Sequence, residues 1–211
     1  MSLTSRKPRP ITRDSASLRD DRLFIIACDD TYAPKQYFDF FKLPRVRITV
    51  IPATAGQHSA QRVLDSLLTY EFEPGDQRWL VLDTDHYAQG SHLQSFLPVI
   101  QTARQKGIGV ALSRPCFELW LLLHHTDEAE AALHEGCKSV DEALRSVLRE
   151  YNKSNLKPEH YPGDSVKQAI ERCRRLDQGT SDIPATNTSR VYRIWDAIAA
   201  SVLAYQLPWT S

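Results

Sequence analysis

Two short apolar runs of this chain end abruptly in acid. Leu23 to Cys28 (LFIIAC) gives way to Asp29-Asp30, and Trp79 to Leu82 gives way to Asp83-Thr84-Asp85. Apolar runs of this length, bounded by polar residues, are those of buried strands. Carboxylates brought together from two strands repel one another unless a cation joins them, and such hard oxygen donors suit Mg²⁺ or Mn²⁺. An ion of that kind polarises a phosphodiester and lowers the pKa of a bound water. The plainer explanation is that acids end strands because the next loop is solvated. A second acidic strand end, carrying a D-x-D, weighs against it. If the strand runs on through Asp85, Asp83 and Asp85 point the same way.

The stretch from Ser113 to His125 (SRPCFELWLLLHH) is the most unusual. Glu118 interrupts an apolar helix start, where a carboxylate is costly unless it is paired, bound to metal or placed in the first turn. It therefore either caps that turn or joins the site, as a ligand or by orienting Arg114. One of His124 and His125 is expected to cap the last carbonyls of the helix, and Trp120 to lie in the core. His86 follows the D-x-D and exchanges a proton near neutral pH, so it is either a solvated loop residue or a substrate contact. Lys153 and Lys157 beside Tyr151 form a modest basic patch, as do Arg172, Arg174 and Arg175; these meet phosphates or are solvated helix faces. The chain contains no G-x-x-x-x-G-K-[ST], G-x-G-x-x-G or G-x-S-x-G, which argues against a self-contained NTPase, a dehydrogenase or a serine hydrolase of the usual pattern.

The positioning elements follow from periodicity. Strands are expected at 23–28, 45–51, 79–82 and 108–112, and helices at 33–41, 57–70 and 91–106, with Pro98 a candidate kink. Gly107 reads as a helix C-cap. Pro115 precedes a further helix at 116–125. Alternation of this kind implies an α/β fold with a four-stranded, mainly parallel sheet and helices on both faces. Right-handed crossovers put every strand's carboxyl end on one edge, where sites in open sheets form. Charged amphipathic helices are expected at 127–151 and 165–176, and a last one at 188–205. The organisation is thus a basic arm (1–20), an α/β domain (21–125) and a helical extension packed on it (126–211).

The 211 residues are enough for a self-sufficient core, and the formal net charge is zero. Nucleic-acid binding therefore needs a local patch rather than a whole-molecule field. Cys28, Cys116, Cys137 and Cys173 form no C-x-x-C and no zinc spacing. A reducing, cytoplasmic setting is expected, with no signal peptide and no membrane span.

Several of these segments resemble one family. Cys28-Asp29-Asp30 followed by Tyr37-Phe38, Trp79 through Asp85 (WLVLDTD) and Gly107 through His124 (GIGVALSRPCFELWLLLH) are similar to motifs of the RloB-like proteins. Tyr151-Asn152-Lys153 and Pro184 through Thr188 are weaker echoes. The resemblance implies a Toprim-like fold with Asp29 in a glutamate position, Asp83 and Asp85 as the D-x-D that holds Mg²⁺, and Glu118 on the family's glutamate. It implies phosphodiester chemistry on DNA or RNA in phage defence, often beside an ABC/SMC-type ATPase; on the nuclease reading, Arg114, Lys153 and His86 are the residues expected on substrate. Here Asp29 is one methylene shorter than the family glutamate, Asp30 replaces a glycine, and Arg114 replaces an asparagine. A member that binds without cutting is the alternative expectation.

Overall fold

The computed structural model describes residues 21–54, 56, 58–85, 91–178 and 181–210, the side chains of 91–93 excepted. The arm at 1–20 and His86 lie outside the described residues. Five strands form a single sheet in the order β2-β1-β3-β4-β5. They are β1 (Arg22–Cys28), β2 (Val46–Ile51), β3 (Gln77–Asp83), β4 (Gly109–Arg114) and β5 (Thr188–Ser189). The first four are mutually parallel, and β5 runs antiparallel to β4.

β1 shows why the sheet is buried on both faces. Leu23, Ile25 and Ala27 point to one side, and Phe24, Ile26 and Cys28 to the other, as the two-residue period of a strand requires. On the first side lie α2 (Ala60–Thr69) and α3 (Ser91–Gln105). The other side carries α1 (Ala33–Asp39), α4 (Phe117–Leu122), α6 (Cys137–Leu148), α7 (Gly163–Leu176) and α8 (Tyr192–Ala199). The short α5 (Glu128–Ala131) precedes α6. Ser59 caps α2 by accepting from the Arg62 N–H, and Asp127 caps α5 by accepting from the Glu130 N–H. Gly107 ends the α3 region at φ +68°, the left-handed conformation glycine adopts without strain.

Several expectations need correction. The sheet has five strands, not four, because the segment before the last helix pairs with β4 at Ser113↔Ser189 and Arg114↔Thr188. The helix expected at 188–205 is therefore shorter and starts at Tyr192. The helix expected at 127–151 is two, α5 and α6, with Gly136 in extended backbone at the N-cap of the second. Pro98 does not divide α3.

β1 lies between β2 and β3, so the chain leaves β1 for β2 on one side and resumes with β3 on the other. The carboxyl ends of β1 and β3 flank this switch point, where open α/β sheets form their crevice.

Candidate functional site

Asp29 follows the last residue of β1, and Asp83 is the last residue of β3. Asp29 Oδ2 accepts the backbone N–H of Asp83 at 3.0 Å. Asp83 Oδ1 in turn accepts the N–H of Phe117, the first residue of α4, at 2.8 Å. The two acids share a cleft of about 360 Å³ with Asp30, Thr31, Tyr32, His58 and Lys153. A larger hollow of about 1000 Å³, between Arg47 and the 69–73 turn, lies near the amino ends of β1 and β2 and gathers no buried titratable side chain.

Burial dominates the electrostatics. It drives the Asp29 carboxyl from an ordinary 3.8 up to about 7; the Asp83 N–H offsets part of this, and the charges of Asp30 and Asp85 add to it. Burial, then the charges of Asp29 and Glu118, also push Asp83 well above the usual carboxylate range. Two adjoining carboxyls that resist ionisation together are a site short of positive charge.

Beside this pair the positive charge is supplied. Lys153 Nζ is ion-paired with Asp30 and lies 2.6 Å from Glu118 Oε1. Burial alone would lower the lysine's pKa, but the charges of Glu118 and Asp30 outweigh it and hold it above the usual value. The other oxygen of Asp30 accepts the N–H groups of Tyr32 (2.6 Å) and Ala33 (3.0 Å), opening α1.

The remaining expected site residues lie further round the edge. β3 stops at Asp83, so Asp85 sits in a turn. It lines a neighbouring cleft of about 630 Å³ with Arg114, His134, Cys137 and Asn187, and its Oδ2 accepts the Cys137 thiol at 2.8 Å. Arg114 donates to the Pro184 carbonyl at 3.0 Å. Ser113 is buried, its hydroxyl 2.8 Å from that of Ser189. His124 bonds through Nδ1 to the Ser165 hydroxyl (2.8 Å) rather than capping its helix, and burial holds it well below its usual pKa. Among the other basic candidates, Arg172 donates to the Leu123 carbonyl, and Lys157, Arg174 and Arg175 are ion-paired to Glu150, Asp196 and Glu128.

Three contributors gave no sequence signal. His58 Nδ1 lies 2.9 Å from the Asp29 carbonyl oxygen. Cys137 approaches Asp85 from α6. Gln36 of α1 donates to the Lys153 carbonyl (3.0 Å) and accepts the Leu156 N–H (2.9 Å), gripping the loop that carries the lysine.

Among the described residues no three His, Cys, Asp or Glu side chains form a ready-made metal-ligand group. The chemistry of Asp29 and Asp83 nonetheless fits a hard divalent ion. Mg²⁺ is commonly held by one or two carboxylates with substrate phosphate and water filling the rest of its shell.

Fold and site define the chain as a mainly parallel α/β protein with an acidic centre at the switch point of its sheet. The sequence model of RloB-like proteins matches residues 24–198, and the chain belongs to the RloB-like family. None of the curated proteins and none of the solved structures is significantly similar to it. No helix among the described residues is long and apolar enough to cross a membrane, and all four cysteines are free thiols.

Proposed function

We propose that this chain is a Mg²⁺-dependent nuclease of Toprim-like type, hydrolysing phosphodiesters of DNA or RNA as an effector of phage defence. The observation that carries the reading is the meeting of Asp29 and Asp83 from separate strands, both half-buried at the cleft and both with carboxyls raised above the usual range. They would hold Mg²⁺ (or Mn²⁺), with Asp85 next along the chain. The ion would supply Lewis-acid polarisation of the phosphate and a bound water of lowered pKa. The chain's own groups would set the frame. Phe117 N–H fixes the direction of the Asp83 carboxylate, and Lys153 keeps Asp30 and Glu118 neutralised at the cleft wall. Arg114 and His86 are the remaining candidates for substrate contact, and an ABC/SMC-type ATPase is the partner the family suggests.

The test uses the full chain with duplex DNA, single-stranded DNA and structured RNA, with and without Mg²⁺ or Mn²⁺. Cleavage is expected only with the ion and is expected to vanish in Asp83→Asn, whose amide oxygen can still accept the Phe117 N–H. Cleavage that persists in both Asp83→Asn and Asp29→Asn overturns the assignment.

A second reading is a module of the same fold that docks on nucleic acid or a partner ATPase without turnover. It is favoured by the Lys153 ammonium, which already neutralises two of the acids. It predicts undiminished phage protection in cells carrying the Asp29→Asn/Asp83→Asn double variant.

A further inference from the structure

The acids at the switch point fall into two pairs that are treated differently. Asp29 and Asp83 adjoin one another, and each accepts a backbone N–H, from Asp83 and Phe117 respectively. Asp30 and Glu118 have a resident cation, Lys153 Nζ, shared between them. Their side chains are only 7% and 4% exposed, so both would be costly to leave unpaired.

The lysine is held there by more than its charge. Gln36 binds the backbone on both sides of it, at the Lys153 carbonyl and the Leu156 N–H. Asn152 Oδ1 accepts the Ser154 N–H at 3.0 Å, tightening the same turn. Asp30 also organises the first turn of α1, which carries Gln36. One acid therefore both pairs with the lysine and opens the helix that grips the lysine's loop. The lysine's own side chain stays 42% exposed, so it is the covered acids and the gripped loop that fix it in the site.

We propose that Lys153 is a tethered counter-ion that confines the centre to a single divalent ion. Its ammonium satisfies the Asp30–Glu118 pair, which would otherwise take a second ion beside the one held by Asp29 and Asp83. The inference rests on the reading of Asp29 and Asp83 as the ion-holding pair. A divalent ion next to a fixed ammonium meets like charge at short range, so the second position is closed while Lys153 is in place. Lys153 is on this account a positioning residue that sets the metal stoichiometry, and its approach to substrate phosphate is secondary.

The experiment is a Mn²⁺ titration of the full chain, read by calorimetry and by the spin-resonance signal of free Mn²⁺, for the wild type, Lys153→Ala and Lys153→Arg. One ion is expected in the wild type, two in Lys153→Ala and one in Lys153→Arg. If Lys153→Ala does not fold, Lys153→Gln keeps hydrogen-bond donors near both acids without charge, and two ions are again expected. Two ions in the wild type, or one in both the wild type and the neutral variants, overturns the proposal and leaves the Asp29–Asp83 reading standing. No ion in the wild type but one in the neutral variants removes that reading and, with it, the single-ion proposal. No ion in any protein overturns both.

Discussion

Asp29 should cost the folded protein stability at neutral pH, and replacing it by asparagine exposes that cost. Its carboxyl moves from 3.8 to about 7 on folding. At about 1.4 kcal/mol per tenfold change in proton affinity, this displacement amounts to roughly 4 kcal/mol. The raised folded-state value sets the sign. Below pH 4 the acid is protonated in both states and nothing is lost. Between about pH 4 and 7 the folded chain keeps a proton that the unfolded chain has released, so stability falls as pH rises. Above pH 7 the full cost stands. Asparagine cannot ionise, and its oxygen can still accept the Asp83 N–H. In chelator, Asp29→Asn should therefore gain on the wild type by about 4 kcal/mol or more between pH 4 and pH 8, since the variant also relieves Asp83 of the Asp29 charge. With a urea m-value of roughly 2.5 kcal/mol/M for a chain of this size, the gap between midpoints should widen by about 1.5 M. Mg²⁺ at pH 8 should narrow the gap again, since an ion that binds only the folded wild type stabilises it by mass action. A gap that stays constant from pH 4 to pH 8 means that the Asp29 carboxyl is not raised on folding.

Arg190 is 1% exposed and donates to both oxygens of Asp177 and to the carbonyls of Ser181 and Asp182. Arg190→Ala should cost about 3–5 kcal/mol in urea unfolding, and adding Asp177→Asn should recover part of it by removing the stranded charge. Burial raises the Asp177 carboxyl, but its bonds to Arg190 and Tyr192 outweigh this and lower it. The stability it contributes is present above the usual carboxylate range and is lost as pH falls through the depressed value; Asp177→Asn should flatten that acid limb. In Gly163→Ala a Cβ would lie 1.6 Å from the Pro208 carbonyl oxygen, so the 207–209 segment must move. This should cost roughly 2 kcal/mol or more, with Trp209 leaving Trp195 in tryptophan fluorescence. Gln36→Ala removes both grips on the 153–156 loop and should cost about 1–3 kcal/mol, visible as faster amide exchange at Leu156.

Much of the sheet could be read in advance because its strands are long enough to show their period. The acids at the ends of β1 and β3 were placed by topology alone, since parallel strands must end on one edge. β5 escaped because two residues show no periodicity, and Thr188 and Ser189 are ordinary loop residues until β4 is beside them. Lys153 was legible as a basic residue, but its partners Asp30 and Glu118 come from distant segments, and no spacing announces that three such side chains meet. Asp85 diverged from expectation because the strand stops at Asp83, and a strand end is the least certain boundary in a sequence.

The antiparallel closure by β5 has a consequence for synthesis. The free edge of β4 is sealed at Leu112–Arg114 by Thr188, Ser189 and the Arg190 N–H, which donates to the Leu112 carbonyl at 2.8 Å. At about 5–20 residues per second, the 73 intervening residues take a ribosome roughly 4–15 s to make. Throughout that interval a growing chain carries an open strand edge, the kind of template that recruits neighbouring chains. A chain ending before Thr188 would leave that edge of β4 without its partner strand, open to pairing with another chain.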